Sequence, residues 1–513
     1  MSGSILDLSR GPPPGDRSAD ICIIGSGSAG GTAARVLAEA GHDVLVLEEG
    51  GDFTGTALTQ RDVAMYDRLY MDQGNRATDD MSVSILQARV LGGGGVINGS
   101  DVEPIPDAVL HHWQRRHGLG DFAPERMAPY RRRALEDLSA SRIRDDQLNR
   151  NNRIVREGAE KLGLRGQVLM HNRVGCQGLG TCLLGCPIHA KRNPRAVAIP
   201  AAVRAGARFF TRARVVRIEG AEEELKRIHV RSLDPLGRRE TAETTIRART
   251  VILAANAVGT AQLLLRSGIG NEHVGRHLTL QPQLPVTAIY DDEVRAFSGI
   301  PQAYAVTEHE REDHPEHGLW GFRIEPIMGT PGIVAAGLPF VGREMKETMQ
   351  LYPRMAAALL LVPDAPSGSV EDVGSSRPRV RYAQREDHRA RLREAIRVAA
   401  RIYLATGARR VIVPTVRPLE IRSERDLREV DDLSFAPATA PLLSAHQQGT
   451  VRFGPSPKSG AADPEGRVFG TRGIYAFDSS GFPTSASTHT MAPILTVAHY
   501  LSDALLARLP VPR

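Results

Sequence analysis

Three of the four cysteines in this chain lie within one short loop. Cys176, Cys182 and Cys186 have the spacing Cys-x5-Cys-x3-Cys-Pro. Closely spaced thiolates can bind zinc or an iron–sulfur cluster, and both usually need three or four ligands. Zinc lacks a clear fourth ligand unless His189 or His171 joins the thiols. A compact loop with buried thiols is the plain alternative, and the residues alone leave these interpretations open.

A second set of residues has the spacing of a dinucleotide site. Gly25, Gly27 and Gly30 follow an apolar strand and precede an alanine-rich helix, after which a second apolar strand ends at Glu48. Gly25 allows a tight turn, Gly27 lets the backbone approach a pyrophosphate, and Gly30 lets helix and strand pack closely. Ser28 lies at the expected helix start, where main-chain amides attract phosphates. Glu48 suits the ribose hydroxyls. The glycines alone do not distinguish FAD from NAD.

The composition is that of a large globular enzyme. The chain has 513 residues, 41% hydrophobic and 24% charged, with a net charge of +6. Basic residues are dispersed among acids, and the short run at 131–133 is typical of a solvated helix face, so no nucleic-acid partner is expected.

The N-terminus lacks a charged segment followed by an apolar core, and no apolar run reaches the roughly 18 residues of a transmembrane helix. We therefore expect no transmembrane segment and a cytoplasmic location, where disulfides are uncommon.

The stretch RVLGGGGVINGSD contains four consecutive glycines, which predict a close backbone approach to something bulky. It resembles the second flavin-contacting segment of the glucose–methanol–choline (GMC) oxidoreductases. Arg89, Gly92, Gly93, Asn98 and Gly99 match the positions of that pattern. The resemblance implies FAD as the cofactor. It also implies that this loop wraps the pyrophosphate and places Asn98 near the reactive edge of the isoalloxazine ring.

Two further segments resemble the same family. VILAANAVGTAQLLLRSGIG is similar to its second signature, a strand followed by a helix, and departs from it at Asn256 and Ala261. FFTRARVVRIEG resembles the strand that holds the adenine, which the resemblance assigns to Val215.

The C-terminal part carries the residues that the resemblance implies for catalysis. SAHQQGTVRFG supplies His446, and the segment that begins IYAFDSSGFPTSASTHT supplies Asp478 and His489. Many relatives have Asn where this chain has His489, and Phe453 stands where Met is frequent. A neutral imidazole suits the removal of a hydroxyl proton because its ordinary pKa is about 6.5. We therefore assign the base to His446, a shared hydrogen bond to His489, and a cofactor contact to Asp478.

These observations predict an α/β fold. We expect a Rossmann-like FAD-binding domain of the GMC and p-hydroxybenzoate-hydroxylase type, and a discontinuous α+β substrate domain built on an antiparallel sheet. The expected boundaries are a flexible tail at 1–18, the FAD domain at 19–110, 190–280 and 436–513, a helical and loop excursion at 111–189, and the substrate domain at 281–435.

The predicted function is FAD-dependent oxidation of a primary or secondary alcohol, such as a sugar or another polyol, by hydride transfer to flavin N5. The cysteine spacing resembles bacterial sugar dehydrogenase subunits, in which it holds a three-iron–four-sulfur cluster, and long-chain alcohol oxidases. We favour a dehydrogenase, with a quinone, a cytochrome, another redox protein or oxygen left open as acceptor. The alternatives are an oxygen-using oxidase, a lyase or decarboxylase, and a non-catalytic flavoprotein. His446 and His489 together argue against the decarboxylase.

Overall fold

The computed structural model describes residues 3–13, 17–311, 313–314 and 318–511. Its helices are α1 Ser28–Glu39, α2 Asp62–Leu69, α3 Asp107–His117, α4 Pro124–Asp137, α5 Arg150–Lys161, α6 Ala198–Arg204, α7 Asn256–Ser267, α8 Pro331–Gly337, α9 Gly342–Gln350, α10 Glu386–Ala405 and α11 Met491–Leu506.

The first half of the chain contains the strands β1 Ser4–Asp7, β2 Ser18–Ile24, β3 Val44–Leu47, β4 Val83–Ile85, β5 Ser141–Arg142, β6 Gly166–Val168, β7 Met170–His171, β8 Arg208–Thr211, β9 Ala213–Glu219, β10 Lys226–Leu233 and β11 Glu240–Leu253. The second half contains β12 Arg276–Thr279, β13 Gln283–Ile289, β14 Tyr304–Val306, β15 Asp313–His314, β16 Gly318–Leu319, β17 Arg323–Pro326, β18 Met355–Leu361, β19 Ser369–Glu371, β20 Arg379–Arg381, β21 Arg410–Val413, β22 Leu419–Ile421, β23 Leu442–Ser444, β24 Gln448–Thr450 and β25 Ile474–Ala476.

The first large sheet has the strand order β1-β8-β3-β2-β11-β10-β9, with β25 also paired to β11. β1, β8, β3, β2, β11 and β25 are parallel, and β11, β10 and β9 form an antiparallel extension. The runs 21–24 and 44–47 are buried, as expected of central parallel strands covered on both faces. The Rossmann-like prediction is confirmed. The loops after β2 and β3 lie at the carboxyl edge, where ligands bind in such sheets.

The second large sheet has the order β22-β21-β13-β18-β17-β14-β6, and β23 joins β13 to β4. The pairs along β22 to β6 are antiparallel, as predicted for the substrate domain. Three of its strands, β4, β6 and β23, lie outside 281–435. The chain therefore crosses repeatedly between the two sheets, and this brings distant motifs into one site.

The N-terminal residues differ from the expected flexible tail. β1 adds to the parallel sheet beside β8, with Ile5 opposite Phe209 and Leu6 opposite Phe210. Leu8 follows in the core with 1% of its surface exposed. Although Ile5 stays 37% exposed, main-chain pairing with β8 and the burial of Leu8 hold this segment at the sheet edge.

The helices follow their sequence patterns. α1 begins directly after Gly27, and α11 begins at Met491, two residues after His489. Among the described residues, no helix combines the length and the apolar character needed to span a bilayer.

Candidate active site

A cavity of about 510 Å³ is lined by residues from both large sheets. The loop after β2 and the end of β3 contribute to its wall, and so do β13 and β18 of the antiparallel sheet. His446, between β23 and β24, and His489, just before α11, also line it. The cavity therefore collects the two motif histidines and the glycine loops.

Gly27 and Gly93 bring two loops into contact in this wall. A Cβ on Gly93 would lie 2.5 Å from the Gly27 Cα, so only glycine permits the approach. A Cβ on Gly27 would meet no protein atom closer than 3.7 Å. Gly27 therefore has room beside it in the cavity wall, and the next residue, Ser28, begins α1 without a side-chain cap. Exposed helix amides next to side-chain-free backbone suit a pyrophosphate.

The other two glycines of the motif pack the strand against the helix. Gly25 has φ +101°, and a Cβ on it would lie 2.3 Å from the Ala254 carbonyl oxygen. A Cβ on Gly30 would lie 1.9 Å from the Gly25 carbonyl oxygen. These contacts match the tight turn and the close packing that the sequence predicts.

Glu48 lines the cavity and holds the glycine loop. Its carboxylate accepts hydrogen bonds from the Ser26 amide at 3.1 Å, the Ser26 hydroxyl at 2.6 Å and the Gly50 amide at 2.7 Å. The Ser26 hydroxyl accepts in turn from the Gly92 amide at 3.0 Å. Burial raises the pKa of Glu48, and these hydrogen bonds oppose the rise. The ribose contact of Glu48 remains a prediction.

Asn98 presents an unpaired acceptor beside the start of α11. Its amide nitrogen lies 3.4 Å from the Met491 sulfur, whereas its Oδ1 is buried and finds no hydrogen-bond partner among the described residues. An unmet buried acceptor costs about 1–3 kcal/mol, so a bound group that donates to it would stabilise the site. α11 also has no side-chain cap at its N-terminus. These features and the glycine loops fit FAD.

The remaining predicted cofactor residues lie around the same cavity. Arg89, Gly99 and Val215 line it. The Arg89 guanidinium donates to the main-chain oxygens of residues 236 and 237 and so fixes a neighbouring turn. Asp478 lines the cavity and accepts from the Thr260 hydroxyl at 2.6 Å and the Ser480 amide at 2.9 Å. Direct cofactor contacts of these residues remain predictions.

His446 and His489 lie side by side. Their ring centroids are 5.2 Å apart and the ring planes are at 89°. His489 Nε2 lies 2.8 Å from a carboxylate oxygen of Glu325, which is fully buried on β17. Although burial lowers the pKa of His489, Glu325 and then Asp101 raise it to about 9. His489 is therefore an imidazolium at neutral pH.

His446 has the opposite electrostatic environment. Burial, followed by the charge of His489, lowers its pKa to about 3, so it stays neutral. Its Nδ1 accepts a hydrogen bond from the side-chain amide nitrogen of Gln283 on β13 at 3.2 Å. The hydrogen of the neutral ring is therefore on Nε2 in this structure. The two rings thus have different protonation states, as an acid and base pair requires.

The three loop cysteines do not converge as the ligands of a single metal ion would. Among the described residues, the metal-capable group whose ligand atoms lie within 4.8 Å of one another is Asp101, Glu325 and His489, without any cysteine. The Arg173 guanidinium lies between two thiols, 3.7 Å from the Cys176 sulfur and 3.2 Å from the Cys182 sulfur. In this structure the two thiols therefore accept from a cation of the protein itself.

Neither histidine completes a zinc site. His189 is exposed, and the Nδ1 of His171 accepts a hydrogen bond from Arg173 at 2.8 Å. Cys176, Cys182 and Cys186 are free of disulfides in a partly buried loop, and an iron–sulfur cluster at these thiols remains a prediction.

Several residues at this site carry no recognisable sequence signal. Gln283 and Glu325 belong to the substrate sheet, which has no motif. Lys191 is 2% exposed and donates to the main-chain oxygens of Val96, Asn98 and Cys182 at 2.7–2.9 Å. It joins the cysteine loop to the Asn98 loop, and only the rarity of lysine in this chain could have drawn attention to it.

Family models match most of the chain. Models described as GMC oxidoreductase match residues 66–283 and 367–498, and an NAD(P)-binding Rossmann-like domain matches residues 23–84. An uncharacterised GMC-type oxidoreductase of Mycobacterium tuberculosis is 30% identical over 502 residues, which are 96% of this chain and 77% of that protein. A long-chain-alcohol oxidase of Arabidopsis thaliana is 29% identical over 515 residues, 95% of this chain and 67% of that protein.

Solved structures share the fold at low sequence identity. Pyridoxine 4-oxidase from Mesorbium loti has a TM-score of 0.72 and 17% identity, covering 96% of this chain and 100% of that one. A formate oxidase structure has a TM-score of 0.71 and 14% identity, covering 97% and 99%. These similarities agree with the two-sheet architecture.

Proposed function

Since this chain belongs to the GMC oxidoreductase family, we propose that it uses FAD to oxidise the CH–OH group of an alcohol to a carbonyl. The observation that carries this proposal is the pair His446 and His489, which line one cavity in opposite protonation states. A neutral base and a fixed cation beside a dinucleotide cavity suit the loss of a proton and a hydride from one alcohol.

The cofactor would be held by the glycine loops and by Asn98. Gly27, Gly93 and the uncapped amides of α1 would hold the pyrophosphate, and Asn98 with the start of α11 would hold the ring. FAD, when bound, supplies the acceptor for the hydride. The protein's part is to place the carbinol carbon, to exclude water from the buried cavity and to move one proton.

His446 takes the hydroxyl proton on Nε2, and His489 donates a hydrogen bond to the substrate oxygen. Because the Gln283 amide nitrogen donates to His446 Nδ1 in the structure, we infer that this amide turns when substrate binds, so that its oxygen accepts from Nδ1 and leaves Nε2 to take the proton. His489 stays charged because Glu325 lies 2.8 Å from it, so it holds the oxygen without competing for the proton. Orientation and proton transfer are thus divided between the two rings.

The substrate side of the cavity is apolar. Six apolar side chains supply hydrocarbon surface here: Met328 after β17, Ile333, Val334 and Leu338 in or just after α8, Leu359 of β18 and Leu443 of β23. Such a lining favours an alcohol with an apolar body over a sugar, because each buried CH₂ group gains about 0.8 kcal/mol. The relatives named long-chain-alcohol oxidases are consistent with this choice.

The proposal does not use the cysteine loop to pass electrons to the acceptor. With Arg173 between the thiols, we assign no electron path to the cysteine loop. The dehydrogenase with a soluble acceptor and the oxygen-using oxidase remain the two forms of the proposal, and the relatives and fold neighbours named oxidases favour the second.

The test is a chain-length series on the FAD-bound enzyme. We expect kcat/KM to rise from short to long primary alcohols, with glucose and other polyols inactive. Leu338→Asp, in the cavity wall, should remove the rise, whereas Val341→Asp, at a residue that is 83% exposed, should preserve it. Oxygen consumption in the same assay distinguishes oxidase from dehydrogenase. Preference for a polyol would contradict the apolar substrate.

A further inference from the structure

The cysteine loop and the catalytic histidines are connected by a line of buried polar groups. Arg173 leaves the loop, donates to His171 Nδ1 at 2.8 Å and also donates to the Gly99 carbonyl. His171 is fully buried, and its Nε2 lies 2.9 Å from the Asp101 carboxylate. Asp101, Glu325 and His489 present polar atoms within 4.8 Å of one another. The line therefore ends at His489.

The chemistry of the groups fixes which atom donates and which accepts along this line. Arg173 can only donate, so His171 Nδ1 accepts and His171 Nε2 carries the hydrogen. That hydrogen is directed to the Gln302 carbonyl at 2.8 Å. Asp101 Oδ1, although near the same nitrogen, makes no well-aligned hydrogen bond. Asp101 is therefore a buried carboxylate that is only partly compensated and needs a positive neighbour.

His489 supplies that positive charge. Although burial raises the pKa of Asp101, His171 and then His489 bring it down to about 2, so Asp101 is ionised. The other charged groups that face His489 are Glu325, Arg323 and Glu103. Arg323 lies 3.3 Å from Glu325 and partly neutralises it. Asp101 is the second carboxylate, after Glu325, that favours the imidazolium of His489.

We propose that Asp101 is a positioning residue of the reaction: its carboxylate, within 4.8 Å of His489, keeps this ring protonated together with Glu325. This inference rests on the proposed function and deepens it. Cys176 and Cys182 take part as acceptors for Arg173, so the loop supports catalysis as structure. The Arg173 cation, through its contact with the Gly99 carbonyl, joins the loop to the wall of the cavity.

The line predicts a pH dependence with a definite sign. His446 must be neutral and His489 must be charged. Because their pKa values are about 3 and about 9, flavin reduction by alcohol should be constant from pH 5 to 8 and fall as the pH rises through about 9. Removing the Asp101 charge makes the imidazolium less stable, so the basic limb should move to lower pH.

The experiment compares Asp101→Asn with Asp137→Asn in the FAD-bound enzyme. Asp137 forms a partly buried pair with His499, with 2.8 Å between them, and does not line the cavity. We expect the basic limb of the flavin-reduction rate to move down by about one pH unit or more in Asp101→Asn and to stay in place in Asp137→Asn. An unmoved limb in Asp101→Asn would overturn the proposal.

A second readout does not depend on turnover. The flavin absorbance of the substrate-free enzyme should show a transition near pH 9 that is absent in His489→Asn and shifted down in Asp101→Asn. If Asp101→Asn fails to bind FAD, His171→Gln should show a smaller shift in the same direction, and no shift there would overturn the proposal.

These two readouts distinguish the two claims. A wild-type enzyme that no alcohol reduces would contradict the proposed function, while the absorbance transition would still decide the role of Asp101.

Discussion

At the scale of residues, two imidazoles in contact differ because their neighbours differ. His489 faces a fully buried carboxylate 2.8 Å away, whereas His446 faces the neutral amide of Gln283 and the charge of His489 itself. Burial would lower the pKa of both rings. Asp101 raises the pKa of both rings, but only His489 also has Glu325, which overcomes the effect of burial. The sheet that carries Glu325 therefore decides which histidine can act as base.

In the cysteine loop, the contacts of one arginine with two thiols determine what the loop does. Arg173 shares one nitrogen between the Cys176 and Cys182 sulfurs, and this contact gives a direct prediction. Protein purified without oxygen should contain FAD but no stoichiometric iron or acid-labile sulfide. Cys182→Ser, which keeps an acceptor for Arg173, should leave the flavin-reduction rate and its pH profile unchanged.

Iron analysis and EPR after reduction provide the measurement. About three irons per flavin, lost in Cys182→Ser, would show that the loop binds a cluster and that Arg173 moves away from the thiols. Tyr70 offers a matched check on the same loop, because its hydroxyl donates to the Leu183 carbonyl at 2.7 Å without touching sulfur. Tyr70→Phe should likewise leave the iron content unchanged.

At the scale of elements, the start of α1 has the open backbone that its glycines predict. Gly27 has an ordinary backbone conformation with φ −67°, and a Cβ there would meet no protein atom within 3.7 Å. Gly27→Ala should therefore fold normally while its methyl group enters the space next to the helix amides. We expect FAD to bind at least about tenfold more weakly, or by ~1.4 kcal/mol.

Isothermal titration of the apoprotein with FAD measures this loss. Gly120→Ala is the matched control, because a Cβ on Gly120 meets no atom within 4 Å and the residue lies outside the cavity lining. Both variants should unfold at the temperature of the wild-type apoprotein. Unchanged FAD affinity in Gly27→Ala would show that the pyrophosphate does not approach this backbone.

The sequence specifies some elements better than others. β2, α1 and β3 follow from one local pattern, and α11 follows from the segment after His489, because periodicity and glycine spacing are local signals. β4, β6 and β23 join the second sheet from distant parts of the chain, and short strands paired over such separations leave no local signal. The sequence also did not indicate β1, in the part of the expected tail that the structure describes, because this strand forms by pairing with the distant β8.

At the scale of the whole molecule, the site exists only where the two sheets come together. The Rossmann-like sheet contributes the glycine loop and Glu48, and the antiparallel sheet contributes Gln283 and Glu325. The sequence could place His446 and His489 through family motifs. The sequence could not identify Asp101, Glu325 or Arg323. These residues matter because they are buried close together in the fold, and no local sequence pattern indicates this.

We propose that His446 accepts the proton while an alcohol gives up its hydride. The most direct measurement is the rate at which a long-chain primary alcohol bleaches the flavin absorbance without oxygen, in the wild type and in His446→Ala. We expect rapid bleaching in the wild type and a loss of roughly a hundredfold or more in His446→Ala, with FAD content unchanged. No bleaching of the wild type by any alcohol, or equal rates in the two proteins, would contradict the account.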